Sequence, residues 1–355
     1  MKTGNVLLWS SCALALLTTL PFQAGAQEQQ ILEDLRGRWK FQIGDDAHWS
    51  RPSLDDAKWD DVSVPSPWED QGYPGYDGYA WYRKHFVAKE GWQGRSLRLH
   101  MGRIDDADEV YVNGYFIGFC GQFPPNYVSE YGTTRDYYLP EWCLRFGSEN
   151  VIAVRVYDSQ LSGGITDGQV GIYALTDPLI PTQSLAGTWK LRSGDDPAWK
   201  EPGLNDASWH NAVVPLYWET QGLKDYDGFG WYRFSFIPSP GAEGKTMILL
   251  LGKIDDVDEA FLNGEKIGHT GSMNSRPERL RTSNDYRQLR AYTIPGGLLK
   301  PGEKNVIAVR VFDAWLHGGI YDAPVGLITR DAYMAWKDRH KDRNNPWDFW
   351  KKFFD

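Results

Sequence analysis

The chain has 355 residues, 41% hydrophobic and 14% aromatic, with 38 Lys and Arg against 47 Asp and Glu for a net charge of −9. Its length fits two domains of ordinary size. The acidic balance argues against nucleic acid and anionic membrane as partners, because both are held by clustered Lys and Arg.

The N-terminus reads MKTGN, an apolar run VLLWSSCALALLTTLPF, and then QAGA before QEQQ. A charged head, an apolar centre and a small-x-small site predict a signal peptide over residues 1–26, and hence a secreted or periplasmic protein. The run is too short and too broken by Ser and Pro21 for a membrane anchor. Loss of Lys2 takes the charge to −10. Cys120 and Cys143 remain, and in an oxidising compartment they could pair. The seven His are scattered, without a Cys/His spacing that would hold a metal.

From Gly37 the chain reads GRWKFQIGDD…, and from Gly187 it reads GTWKLRSGDD…; over residues 37–83 against 187–233, 24 of 47 positions are identical. The match resumes as MGRIDDADEVYVNG against LGKIDDVDEAFLNG, then as ENVIAVRVYD against KNVIAVRVFD after five extra residues in the second copy. Short apolar runs bounded by Gly, Pro, Asn and Asp read as strands, and Asn113-Gly114 and Asn263-Gly264 read as type I′ hairpin turns. The expectation is all-β, with two tandem galactose-binding-like jelly-roll sandwiches over 31–176 and 184–330. The Pro-marked TDPLIPTQ between them predicts a fixed relation. The tail, 331–355, spaces Tyr333, Met334, Trp336, Trp347, Phe349, Trp350, Phe353 and Phe354 at near-helical intervals. It reads as a helix folded back on a domain, or as a partner-docking or membrane-surface helix.

Of 17 Trp, ten form pairs between the copies, among them Trp39/Trp189, Trp49/Trp199, Trp59/Trp209 and Trp81/Trp231. Large rings dominate core packing, and Trp39, Trp49 and Trp59 are assigned there. The order VPxxWExxG, a short loop, GxxWYR, DDxDExxxNGxxIG, NxIAVRVxD and GGI resembles the N-terminal sugar-binding jelly roll of family 2 glycoside hydrolases such as β-galactosidases, and is similar to a domain inserted in some sialate esterases. The resemblance covers nearly all of the chain after the leader. It implies that Asp77 and Asp227, in the loop before the WYR strand, and Asp158 and Asp313, at the end of the VRV strand, contact sugar. Carboxylates accept hydrogen bonds from sugar hydroxyls while a ring covers the apolar sugar face. The candidate carbohydrate-binding residues are therefore Asp77, Trp81, Arg83 and Asp158, with Asp227, Trp231, Arg233 and Asp313 in the second copy. The competing assignment makes Arg83 and Asp158 a structural ion pair and Asp77 a turn residue.

The clusters Asp105, Asp106, Asp108 and Asp255, Asp256, Asp258 are the calcium candidates, although EF-hand spacing is missing. A retaining glycosidase needs two carboxyls about 5 Å apart, on a barrel of about 250 residues in this family. One Glu per copy, Glu69 or Glu219, gives no pair, and no catalytic residue is assigned. The sequence thus reads as an exported carbohydrate-binding protein taking a glycan ligand, with a glycosidase as a possible protein partner through the tail. The alternatives are a glycoside hydrolase component or a structural docking module.

Overall fold

The computed structural model describes residues 29–224, 226–274, 280 and 283–341. The expected signal peptide over residues 1–26 and the aromatic end of the tail from Trp347 to Phe354 lie outside that range. The first unit is two antiparallel sheets face to face. Six strands run in the order β3 (Asp60–Val64), β2 (Gly37–Ile43), β4 (Gly78–Val87), β9 (Glu149–Asp158), β6 (Ala107–Val112) and β7 (Tyr115–Cys120). Four run in the order β1 (Gln29–Asp34), β10 (Gly164–Leu175), β5 (Leu97–Asp105) and β8 (Thr134–Leu139).

Two-residue alternation fixes which side chains meet between the sheets. On β9, Ile152, Val154 and Val156 enter the core beside Trp39, Phe41 and Tyr82, while Arg155 points the other way. The Asn113-Gly114 turn has positive φ at both residues, 52° and 83°, as a type I′ turn requires. The Asn113 side chain then ties the hairpin to its surroundings, donating to the Cys143 carbonyl at 2.8 Å and accepting from the Val151 amide at 3.0 Å.

The second unit repeats this plan. Its larger sheet orders β13 (His210–Val214), β12 (Gly187–Ser193), β14 (Gly228–Phe236), β19 (Asn305–Asp313), β16 (Val257–Leu262) and β17 (Glu265–Thr270). Its smaller sheet orders β11 (Gln183–Ser184), β20 (Gly319–Thr329), β15 (Met247–Asp255) and β18 (Ala291–Thr293). Helix α1 (Arg330–Lys341) follows and folds back: Tyr333 and Trp336 pack on Leu179, Ile248, Leu250 and Ile328. The Trp336 indole donates to the Asp177 carbonyl at 3.1 Å, and Arg339 grips the Asp177 carboxylate at 2.9 and 3.1 Å. The helix therefore clamps the linker to the second unit.

The units touch through side chains of both copies. Phe119 stacks on His317 with ring centres 3.6 Å apart, Phe116 and Phe119 meet Tyr217, and Arg98 pairs with the buried Asp322 at 3.0 Å. The cysteine pairing open in the sequence does not occur, and both thiols are free. Cys120 faces Asp108 at one end of the β6–β7 hairpin while Cys143 lies by Asn113 at the other. That is a strand length of about 17 Å, far beyond the Cα separation of about 6 Å that a disulfide spans.

Candidate functional site

The eight sequence candidates separate into three places. Trp81 and Arg83 lie on the outer face of the six-stranded sheet, but the segment from Asp45 to Trp59 covers them completely, leaving both 0% exposed. Trp81 packs edge-on to Trp49 and stacks on Tyr111. A ring sealed in this way has no face to offer a sugar. Arg83 binds Asp56 at 2.6 Å and the carbonyls of Trp49 and Arg51 at 2.5 and 3.1 Å. The expected ion pair of Arg83 with Asp158 is thus replaced by one with Asp56, because alternation places Arg83 outside and Asp158 at the end of the inter-sheet gap. Trp231 and Arg233 repeat this arrangement with Trp199 and Asp206. The assignment of Trp49 and Trp59 to packing agrees with the structure, although they cover the outer face and do not fill the centre.

Asp158 is wholly buried where β9 ends. It stands with Asp105 and Asp106, their carboxylate oxygens within 4.8 Å of one another, and Asp313 does the same with Asp255 and Asp256. Burial, reinforced by the neighbouring carboxylates, pushes Asp158 up to about 7 and Asp105 up to about 7. Burial would raise Asp106 too, but the hydroxyls of Ser129, Tyr127 and Ser159 and the Ser159 amide hold it at about 2. In the second unit burial takes Asp313 to about 8.

The other two calcium candidates are corrected. Asp108 is fully buried against Arg135 at 2.7 Å and accepts from the Tyr137 hydroxyl, while Asp258 meets Arg290 at 2.8 Å and Tyr292 at 2.7 Å. Their oxygens are committed to these donors, so neither is a ligand.

The repeated WE and GG motifs are two sides of one contact. Glu69 accepts the Gly163 amide at 3.0 and 3.1 Å, and the Trp68 amide donates to the Gly163 carbonyl at 3.1 Å. A Cβ on Gly163 would lie 2.2 Å from the Trp68 ring and 2.8 Å from Asp158 Oδ2, so only glycine fits. Glu219 and Gly318 repeat the bond at 2.9 Å. Burial raises Glu219 to about 9.

Asp77 and Asp227 sit on exposed loops, but their settings differ. Asp77 faces outward, whereas Asp227 lines a cleft of about 440 Å³ between the units with Glu109, Phe119, Phe123, Trp315 and His317. An adjoining space of about 730 Å³ shares Phe119, Trp315 and Leu316 and reaches Tyr217, Asp255 and Asp256. These volumes suit a small ligand, and rings beside a few convergent polar groups are what such sites present. Burial among rings holds His317 down at about 4.

Sequence reasoning missed Tyr217, Trp315 and His317. Their signal was divergence, since the first copy has Pro67, Gln160 and Ser162 at those positions. Conversely, Phe116 and Phe119 become Lys266 and His269 in the second copy. The aromatic residues at this contact thus differ between the copies.

Residues 44–162 match the family model described as the β-galactosidase second all-β domain. The chain is 29% identical over 155 residues to a β-galactosidase of Priestia megaterium, covering 35% of this chain and 14% of that protein. It is 28% identical over 135 residues to a β-galactosidase of Thermoanaerobacter pseudethanolicus, covering 36% and 15%. Among solved structures, a Bacteroides uniformis β-glucuronidase 2 covalently bound to cyclophellitol-6-carboxylate aziridine aligns over 84% of this chain and 29% of its own, at 15% identity and a TM-score of 0.36. The chain therefore spans about a seventh of the length of these β-galactosidases, and its residues 44–162 are similar to the second all-β domain of β-galactosidases.

Proposed function

We propose that the chain is an exported carbohydrate-binding protein whose glycan site is the cleft between its two sandwich units. The observation that carries this reading is the composition of the cleft: Asp227 and Glu109 supply acceptors for hydroxyls, and Phe119, Phe123 and Trp315 supply apolar rings. Its similarity to glycosidase domains supports a carbohydrate as the ligand class. Recognition is favoured over hydrolysis because Asp158 and Asp313, each the strand-end member of its own unit's aspartate cluster, are 0% exposed, so neither has access to a glycosidic bond. In this reading the first 26 residues direct export, and a glycosidase acts beside the chain.

The test is to screen the processed chain against β-galactosides, β-glucuronides and plant polysaccharides, measuring bound ligand and released sugar together. Binding without release is the expected result. Release of sugar by a contaminant-free preparation replaces this reading with the hydrolase one, and absence of all glycan binding replaces it with a docking module.

A further inference from the structure

Tyr115 and Trp142 stand in contact on the surface of the first unit, 52% and 41% exposed. Their rings meet edge to face, with centres 5.0 Å apart and planes at 82°. A single exposed ring is ordinary on a protein surface, but two in contact make an apolar corner that is costly to leave in water. The fold does not require this corner. Asn113 donates to the Cys143 carbonyl and Asn263 to the Leu298 carbonyl, which sets the two copies in register, and in that register the second copy carries Glu265 for Tyr115 and Gly297 for Trp142. Its β16–β17 hairpin pairs as β6–β7 does. The corner also lies apart from the cleft, because Tyr115 begins β7 and a strand length of roughly 17 Å separates it from Cys120, which lines the space between the units.

We propose that Tyr115 and Trp142 form a second glycan contact, which takes one sugar ring of a polysaccharide whose chain also enters the cleft. The ligand class rests on the carbohydrate reading above. Two ring walls at 82° can cover the apolar face and one edge of a single pyranose. Tyr and Trp each join an apolar body to a polar tip, and among the described residues neither the Tyr115 hydroxyl nor the Trp142 indole has a hydrogen-bond partner, which leaves both tips for sugar hydroxyls. Ser50 and Arg51 lie against Gly114, beside Tyr115, and add polar groups to the rim. A protein partner fits the corner less well, since a stable interface takes about 20–30 residues a side and this apolar surface is two side chains. Engaging one glycan chain at both places raises affinity for a polymer without strengthening either contact.

The test is native electrophoresis of the processed chain through gels holding galactomannan, arabinogalactan or xyloglucan, with dissociation constants taken from the retardation. Tyr115→Glu with Trp142→Gly gives the corner the residues of the second copy, and an unchanged melting temperature confirms that the variant folds. Should the pair lower it, Tyr115→Glu alone carries the test. The expected result is that the corner variant binds the retarding polymer about tenfold more weakly, the scale of one lost aromatic anchor, that Asp227→Ala does likewise, and that all three changes together abolish retardation. A corner variant as retarded as the wild type, with Asp227→Ala weakened, would overturn the second contact and leave the cleft standing. Weakening by the corner variant alone would support the contact and overturn the cleft. No retardation of the wild type by any of the polymers would overturn both. A corner variant that sediments as a smaller species than the wild type would overturn the glycan contact by assigning the rings to an interface between copies.

Discussion

At the scale of single residues, the buried charges are structural before they are anything else. Arg135 and Asp108 are both fully buried, and Asp108 also accepts from the Tyr137 hydroxyl. Removing one partner of such a pair strands the other charge, at a cost of about 3–5 kcal/mol. Asp108→Ala should therefore lower unfolding free energy by about that amount in urea titration, and a change under about 1 kcal/mol, the scale of an exposed pair, would refute the pairing. His317 supplies a pH test. Its pKa is depressed from 6.5 to about 4 by burial, against the rings of Phe116, Phe119 and Tyr217 and with the carboxylates of Glu109 and Asp227 lining the same cleft. A depressed histidine leaves stability intact above pH 6.5 and removes it as pH falls through 4. His317→Phe should flatten that acid limb in melting curves recorded across the interval, and an unchanged limb would show that other groups govern it.

At the scale of elements, strands and turns were legible because alternation, Asn-Gly turns and duplication all pointed the same way. Face assignment was the harder part. In GYAWYRKHFV both faces of β4 are buried, so the sequence alone did not show that Tyr82 points inward while Trp81 and Arg83 point outward beneath a covering loop. Asp158 was legible as a singular residue, but its company was not, since its partners Asp105 and Asp106 lie some fifty residues earlier. Helix α1 spans 12 described residues, a length that is marginal for an isolated helix in water. Its order rests on Trp336 and the Arg339 grip on Asp177. Trp336→Ala should release it, seen as loss of amide-exchange protection over Arg330–Lys341 while β20 stays protected. Retained protection would mean that the tail holds itself.

At the scale of the whole molecule, duplication produced two similar units that are used differently. The second copy's loops acquired Tyr217, Trp315 and His317, and the first copy's edge strand acquired Phe116 and Phe119, so that one unit closes over the other and leaves a cleft. Arg98→Ala with Phe119→Ala should uncouple the units and split a single calorimetric transition in two; an unsplit transition would place the coupling elsewhere. The asymmetry also gives the most direct test of the proposed glycan site, because Asp77 and Asp227 are equivalent in sequence but only Asp227 faces the cleft. On a glycan identified by screening, calorimetry should show Asp227→Ala weakening binding by about tenfold or more, the scale of a lost charged hydrogen bond, with Asp77→Ala binding as the wild type does. Equal loss from both substitutions, or loss from Asp77→Ala alone, would contradict a site between the units.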